Sequence, residues 1–286
     1  MILAPLRGVT GRCFRETFAP QIAEAGFTEA ITPFITINAG VDPLKDRELR
    51  FSRRDAPLKL TPQLIGKDPE ALRVALVRLK DAGFETADLN CGCPFPMVRN
   101  KGRGSGLLRT GDVLRRMLEV GCSVMGDGCF SVKARLGVER RDELLKLMPL
   151  LNVFPLRFLT VHVRTAKQMY EGAVDRAAFE AIRQVAAMPL VYNGDVALEA
   201  LGDCPKAHDV MVGRGFVRAL GARADAPELL ARYIAASKDE LGSAHPVLGR
   251  IKELLAYWCM LPRWRKRWSV VKMARSLGEL EDAACA

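Results

Sequence analysis

Short apolar runs with strand character alternate with amphipathic stretches along most of this chain, and that alternation constrains the fold more than any other feature. The strand candidates are Ile2 to Leu6, Glu29 to Ile35, Leu58 to Ile65, Thr86 to Asn90, Phe130 to Leu136, Phe158 to His162, Leu190 to Asn193 and Val210 to Gly213. Between them Arg12 to Ala25, Pro69 to Ala82, Asp112 to Met125, Arg141 to Leu150 and Arg176 to Ala186 space their apolar residues as helices do. Repeated strand–helix units predict parallel strands sheathed by helices, closed into a TIM (β/α)8 barrel. An open doubly wound sheet is the alternative, since periodicity does not show closure. A chain of 286 residues accommodates one barrel, typically ~250 residues, with a small appendage.

Beyond Ala226 the pattern changes. Pro227 to Leu241, Val247 to Met260 and Trp264 to Leu277 read as three helical stretches with no strand between them. The expected division is therefore a catalytic barrel over residues 1–225 and an all-helical unit over residues 226–286. From Arg250 to Arg275 the tail sets Arg250, Lys252, Arg263, Arg265, Lys266, Arg267, Lys272 and Arg275 against one acid, Glu253. Whole-chain charge points the same way: 43 basic residues face 33 acids, a net of +10. Charge of this kind favours a polyanionic partner without proving one. Tyr257, Trp258, Trp264 and Trp268 are open to two uses, stacking on bases or packing the bundle, and packing is expected for most. The mixed-charge stretch Asp42 to Asp55 reads as a solvated loop or short helix without assigned function.

Two classes are disfavoured. No apolar stretch approaches the ~20 residues of a membrane-crossing helix, so no membrane partner is expected. The 8 cysteines show no paired framework, and no secretory signal precedes them, so a reducing cytoplasm is expected. Cys91 and Cys93 lack the second pair or histidine that a zinc site needs, and no metal is expected.

In a β/α barrel the site is assembled at the C-terminal ends of the strands. Gln63, Asn90, Lys133, His162, Arg164, Asn193 and Arg214 occupy such places. Asn193-Gly194-Asp195 and Gly213-Arg214-Gly215 fall at the two turns where barrels bind phosphate with backbone amides and a helix N-terminus. The fourth strand runs into Asn90-Cys91-Gly92-Cys93-Pro94 and then a glycine- and serine-bearing loop that carries Arg99, Lys101 and Arg103. A cysteine there can be a structural thiol, a nucleophile or an acid.

Asp88-Leu89-Asn90-Cys91-Gly92-Cys93-Pro94, with Gly104-Ser105-Gly106-Leu107-Leu108 downstream, resembles the signature of the tRNA-dihydrouridine synthases. Further blocks join it in the family's order: Ala4 to Thr10, Gln63 to Gly66, Val132 to Gly137, Val161 to Thr165, Asn193 to Asp195 and Val212 to Arg214. Arg250-Ile251-Lys252-Glu253-Leu254-Leu255 is similar to the bacterial C-type subclass, which acts at position 16 of the D-loop. Two positions depart from the pattern: Leu6 where methionine is frequent, and Val163 where a smaller residue is usual and extra bulk is expected beside the cofactor and His162.

The resemblance implies FMN, reduced by NADPH, delivering hydride from N5 to C6 of a uracil while Cys93 protonates C5. It implies cofactor contacts from Pro5, Leu6, Arg7, Gln63, Lys133 and His162, with Asn193, Gly194, Asp195, Gly213 and Arg214 at the phosphate end. Lys133 would stabilise the anionic reduced ring. Asn90 and Arg135 would hold the uracil, and Arg99, Lys101, Arg103, Arg164, Arg250, Lys252 and Lys272 the tRNA. The expected partner is the tRNA D-arm, with the protein a monomer and no obligatory protein partner. Two other functions fit less of the pattern: a flavin-dependent barrel acting on a small molecule, and an RNA-binding barrel without catalysis.

Overall fold

The computed structural model describes residues 1–49 and 58–285. The part of the mixed-charge stretch from residue 50 lies outside the described residues; ahead of it, Pro43–Lys45 form one 3-10 turn capped by Asp42. The strands are β1 (Ile2–Leu3), β2 (Glu29–Ile31), β3 (Ile35–Thr36), β4 (Lys59–Thr61), β5 (Gln63–Ile65), β6 (Ala87–Cys91), β7 (Phe130–Gly137), β8 (Leu159–Thr165), β9 (Leu190–Asn193) and β10 (Asp209–Val212). Around them run α1 (Arg12–Thr17), α2 (Ala19–Glu24), α3 (Pro69–Asp81), α4 (Pro96–Arg99), α5 (Gly111–Met125), α6 (Glu143–Leu151), α7 (Arg176–Val185) and α8 (Arg214–Ala222).

Every strand pairing is parallel. β2 and β3 are two halves of one strand position, as are β4 and β5; β2 pairs with β4 and β3 with β5. Pro62, which has no N–H to give, interrupts the second of these. Thr32 spans the break: its N–H reaches the Thr61 carbonyl at 3.0 Å and its Oγ1 accepts from the Gln63 N–H at 3.0 Å. Since β1 pairs with both β10 and β2, the strand positions close on themselves. This is a TIM-like barrel.

One expected helix is two. Arg12 to Ala25 breaks at Phe18, where the backbone leaves helical geometry and Pro20 opens the next turn. The tail also differs from the expectation of three helices: α9 (Ala226–Leu241), α10 (Ala244–Trp258), α11 (Pro262–Val271) and α12 (Leu277–Cys285) are four. Lys252 ends α11 by donating to the carbonyls of Lys272 and Ala274 at 3.0 and 2.5 Å. Ser276 and Glu279 then open α12: the Glu279 N–H reaches Ser276 Oγ at 3.2 Å, and its carboxylate accepts from the Arg275 N–H at 2.8 Å.

The tail is moored to α8 by aromatic side chains. Trp258 Nε1 donates to the Val217 carbonyl and Trp264 Nε1 to that of Gly221, each at 2.8 Å. Both indoles are buried, which satisfies their only donor and removes them from any surface that could stack on bases.

Candidate active site

The cleft at the C-terminal ends of the strands holds about 1110 Å³ of empty space, part of it open to solvent. Its wall brings together Pro5, Leu6, Arg7, Asn90, Cys93, Lys133, Arg135, His162, Asn193, Gly194, Asp195, Gly213 and Arg214. These residues come from six strands and the turns that follow them, so no pair of neighbouring elements could have formed the site alone.

Cys93 sits just past β6, on a loop pinned from two sides. Ser105 Oγ donates to the Cys93 carbonyl at 2.8 Å, and Gly104 at φ +57° passes so close that a Cβ there would stand 2.8 Å from the Cys93 Cβ. Only glycine suits that backbone and that gap. Burial pushes the Cys93 thiol up, while the Phe95 backbone, Arg7 and Arg135 pull against the shift. At neutral pH it is a thiol, able to give a proton.

Lys133 rises from the middle of β7 and donates to Asn193 Oδ1 at 2.9 Å. Asn193 is itself held by its Nδ2 on the Met211 carbonyl at 2.8 Å. Burial, then the neighbouring Arg135, brings the Lys133 ammonium down to about 8, with Asp88 opposing. His162 is driven well below its ordinary value by burial and by the cations Arg135, Lys133, Arg164 and Arg214, so it is a neutral imidazole.

The phosphate-type turns meet at Asp195. This residue adopts φ +48° and its carboxylate is gripped by Arg164 on one oxygen and Arg214 on the other. A pull of two guanidiniums holds its carboxyl below the usual range despite burial. α8 begins beside them, and a Cβ on Gly215 would lie 2.0 Å from the Val196 carbonyl, so the chain packs there without side chain. One uncompensated cation and a helix N-terminus without a side-chain cap suit an anion. With a half-buried ammonium in mid-cleft and an anion seat at one end, the donor set fits a phosphorylated, electron-accepting ring cofactor.

Other expected residues stand elsewhere. Gln63 is wholly buried beneath the cleft rather than on its wall. Arg164, expected at the tRNA surface, is 2% exposed and donates to the Gly172 and Glu171 carbonyls as well as Asp195. Arg250 is ion-paired with Glu240, and Lys252 caps α11. All three are long side chains whose charge the fold spends on internal acceptors. Arg135 lines the cleft, yet its guanidinium is tied to the carbonyls of Gly92, Thr165 and Met169 at 3.0, 2.9 and 2.5 Å. Arg99, Lys101 and Arg103 stay on the loop beyond Cys93, with Lys101 exposed and Arg103 donating to Asn38 at 2.8 Å. Lys272 is exposed. Val163 sits in the packed layer between strands and helices, with its Cγ2 close behind the wall residue Gly194, where a Cβ would stand 2.8 Å from it.

Several wall residues escaped sequence reasoning: Phe34, Phe95, Tyr170, Glu253 and Tyr257. Tyr170 receives the guanidiniums of Arg135 and Arg214 on its ring at 5.2 and 5.1 Å. Glu253 and Tyr257, four apart on α10, bring the tail to the mouth of the barrel. The signal was a single acid inside a basic run, with an aromatic one helical turn later.

Residues 2–261 match the family described as Dihydrouridine synthase (Dus). A probable tRNA-dihydrouridine synthase of Rhodobacter capsulatus is 32% identical over 226 residues, spanning 75% of this chain and 67% of that protein. The tRNA-dihydrouridine synthase B of Escherichia coli K12 is 29% identical over 219 residues, with the same shares of 75% and 67%. Among solved structures, a variant of morphinone reductase in complex with tetrahydroNAD superposes with a TM-score of 0.53 at 14% identity, covering 76% of this chain and 83% of that one. An old yellow enzyme homologue of Zymomonas mobilis gives 0.52 at 16% identity, covering 76% and 85%. At such identities these two structures share the fold.

Proposed function

The chain belongs to the dihydrouridine synthase family, and on that footing we propose that it reduces uridine in the D-loop of transfer RNA to 5,6-dihydrouridine, with FMN as cofactor and NADPH as reductant. The observation that carries the reading is the shared cleft wall: a buried thiol, a half-buried ammonium and an anion seat face one space. Relatives named for the same reaction support the substrate. An FMN bound there supplies the hydride for C6 of the uracil.

The chain's own residues do the rest. Cys93 Sγ holds the proton destined for C5, and its burial keeps that proton in place at neutral pH. Lys133, oriented by Asn193, sets a positive charge where negative charge develops on the cofactor. Asp195 with Arg164 and Arg214 shapes the phosphate end, leaving the N-terminus of α8 to bind. Neutral His162 serves as a hydrogen-bond partner without adding charge. A D-loop uridine must leave its stack to reach this cleft, and Arg99, Lys101 and Arg103 lie on the loop beside it. Among the tail cations, Arg265, Lys266 and Lys272 are exposed and available for phosphate.

The division at residues 225/226 into a flavin-binding barrel and a tRNA-binding helical unit, a cytoplasmic location and a monomeric state belong to the same proposal. The C-type resemblance of Arg250 to Leu255 assigns position 16, whereas named relatives are B synthases. Expression in a strain lacking all its dihydrouridine synthases, followed by mapping of restored positions, tests substrate and subclass together; no restored position counts against the reading. NADPH oxidation driven by unmodified tRNA but not by free uridine separates it from a small-molecule reductase. Cys93→Ala is expected to retain flavin and to lose turnover by about 10²–10⁴-fold; unchanged turnover would remove Cys93 from the role of acid.

A further inference from the structure

Beneath the cleft lies a buried acid that the mechanism above does not use. Asp88 is on β6 two residues before Asn90, so both side chains enter the barrel. It is wholly buried, and its partners are neutral: Ser131 Oγ donates to one carboxylate oxygen and Gln63 Nε2 to the other, each at 2.7 Å. A carboxylate accepts and does not donate. It therefore holds the amide nitrogen of Gln63 toward itself and turns Gln63 Oε1 the other way. Asn90 Nδ2 donates to that oxygen at 2.7 Å. This in turn directs Asn90 Oδ1 to the loop, where the N–H groups of Gly92 and Cys93 donate to it at 3.0 and 2.8 Å.

Each link in this relay has one direction, on which both ends agree: Asp88 only accepts, and the N–H groups of Gly92 and Cys93 only donate. Reversal would place the Asn90 amide nitrogen against two backbone N–H groups, donor facing donor, and free the loop that carries Cys93. The acceptor capacity of Asn90 is consumed by the loop, and what it can offer to the cleft is its second N–H.

We propose that Asp88 is a positioning residue that fixes the direction of the Gln63–Asn90 relay, so that Asn90 meets the bound base as a donor alone and selects a base presenting a carbonyl over one presenting an amino group. Uracil offers a carbonyl at C4 where cytosine offers an amino group, and an amino group set against Asn90 leaves two donors without acceptors. The choice of base rests on the tRNA reading of this site. The relay does not.

The test compares two variants of the holoenzyme with the wild type. Asp88→Val removes the acceptor and keeps the bulk close. It is expected to retain flavin, to lower kcat on tRNA by about 100-fold with KM little changed, to narrow the preference for uridine over cytidine at the target position, and to change the rate of Cys93 alkylation by iodoacetamide in RNA-free protein. Asp88→Asn keeps the direction, because its Oδ1 can still accept from Gln63 while its Nδ2 donates to Ser131 Oγ, whose hydrogen turns to the Ala87 carbonyl now 3.4 Å away. It is expected to stay within about threefold of wild type in every readout. The proposal is overturned if Asp88→Asn is as impaired as Asp88→Val, or if Asp88→Val matches wild type in kcat and alkylation. Should Asp88→Val not fold, an impaired Asp88→Asn alone overturns it and a near-wild-type one supports it. Failure of the wild type to reduce tRNA would count against the proposed function, while the alkylation comparison would still decide the relay.

Discussion

Arg135 and Arg164 at the barrel mouth are each 2% exposed and spend their guanidiniums on carbonyls and Asp195, whereas Arg265 and Lys266 on α11 stand in solvent. In the amino-acid sequence these are the same kind of residue at similar density. The difference is in what the fold places opposite them. At the mouth, loops following β6, β8 and β9 would be left with buried carbonyls and a strained Asp195, and long cations bridge them. On the tail, α11 turns one face outward, where Arg265 reaches only the Met260 carbonyl at 3.4 Å and stays exposed with Lys266. Buried cations therefore build the cleft, and exposed ones are left for a polyanion; even within the tail, Arg250 and Lys252 fall into the first group.

The sharpest way to break this contrast is at Asp195. Asp195→Ala leaves Arg164 buried without its carboxylate and is expected to cost about 2 kcal/mol in urea unfolding, less than a fully buried pair because Asp195 is partly in solvent; a neutral outcome would show the mouth arginines to be as dispensable as surface ones. Lys133 sharpens it through pH. Its folded value of about 8 lies below the 10.5 of the free side chain, so between those values the unfolded chain binds more protons and stability from this group rises with pH. In flavin-free protein Lys133→Met should gain on the order of 2 kcal/mol at pH 7, with the advantage shrinking from pH 8 to 10; an advantage flat with pH would mean the ammonium is not strained. Lys252→Met should cost about 1 kcal/mol of stability by uncapping α11, with no change in the salt dependence of tRNA binding. Smallest in stability is the double change Arg265→Ala with Lys266→Ala, expected within about 0.5 kcal/mol of wild type. It should flatten the slope of log binding constant against log salt by about 1 to 2 units. If the last two variants exchange behaviours, the division of the tail into internal and external cations is wrong.

Much of the site was legible because a parallel barrel forces strand ends into one rim. Once Asn90, His162, Asn193 and Arg214 were placed at strand ends and Lys133 within a strand, their convergence followed from topology. Residues outside that rule were not legible. Glu253 and Tyr257 reach the cleft only because Trp258 and Trp264 dock α10 and α11 on α8, a contact between segments distant in the chain. Asn90 illustrates a finer limit: its place at a strand end does not tell which part of its amide faces the cleft, and the loop takes both lone pairs. The fourth tail helix had a local signal in Ser276 and Glu279, obscured by the run of helical spacing from Trp264 to Leu277.

From local order of residues alone came the strand–helix alternation, the barrel, the helical tail and the short signature that holds the thiol, for these depend on spacing and on backbone preference over a few neighbours. Which cations are spent inside, which way the Asp88–Gln63–Asn90 amides face, and what the tail adds to the mouth were settled by packing. Hydrogen-bond direction and burial belong to pairs of groups far apart in the chain, and only folding brings those pairs together.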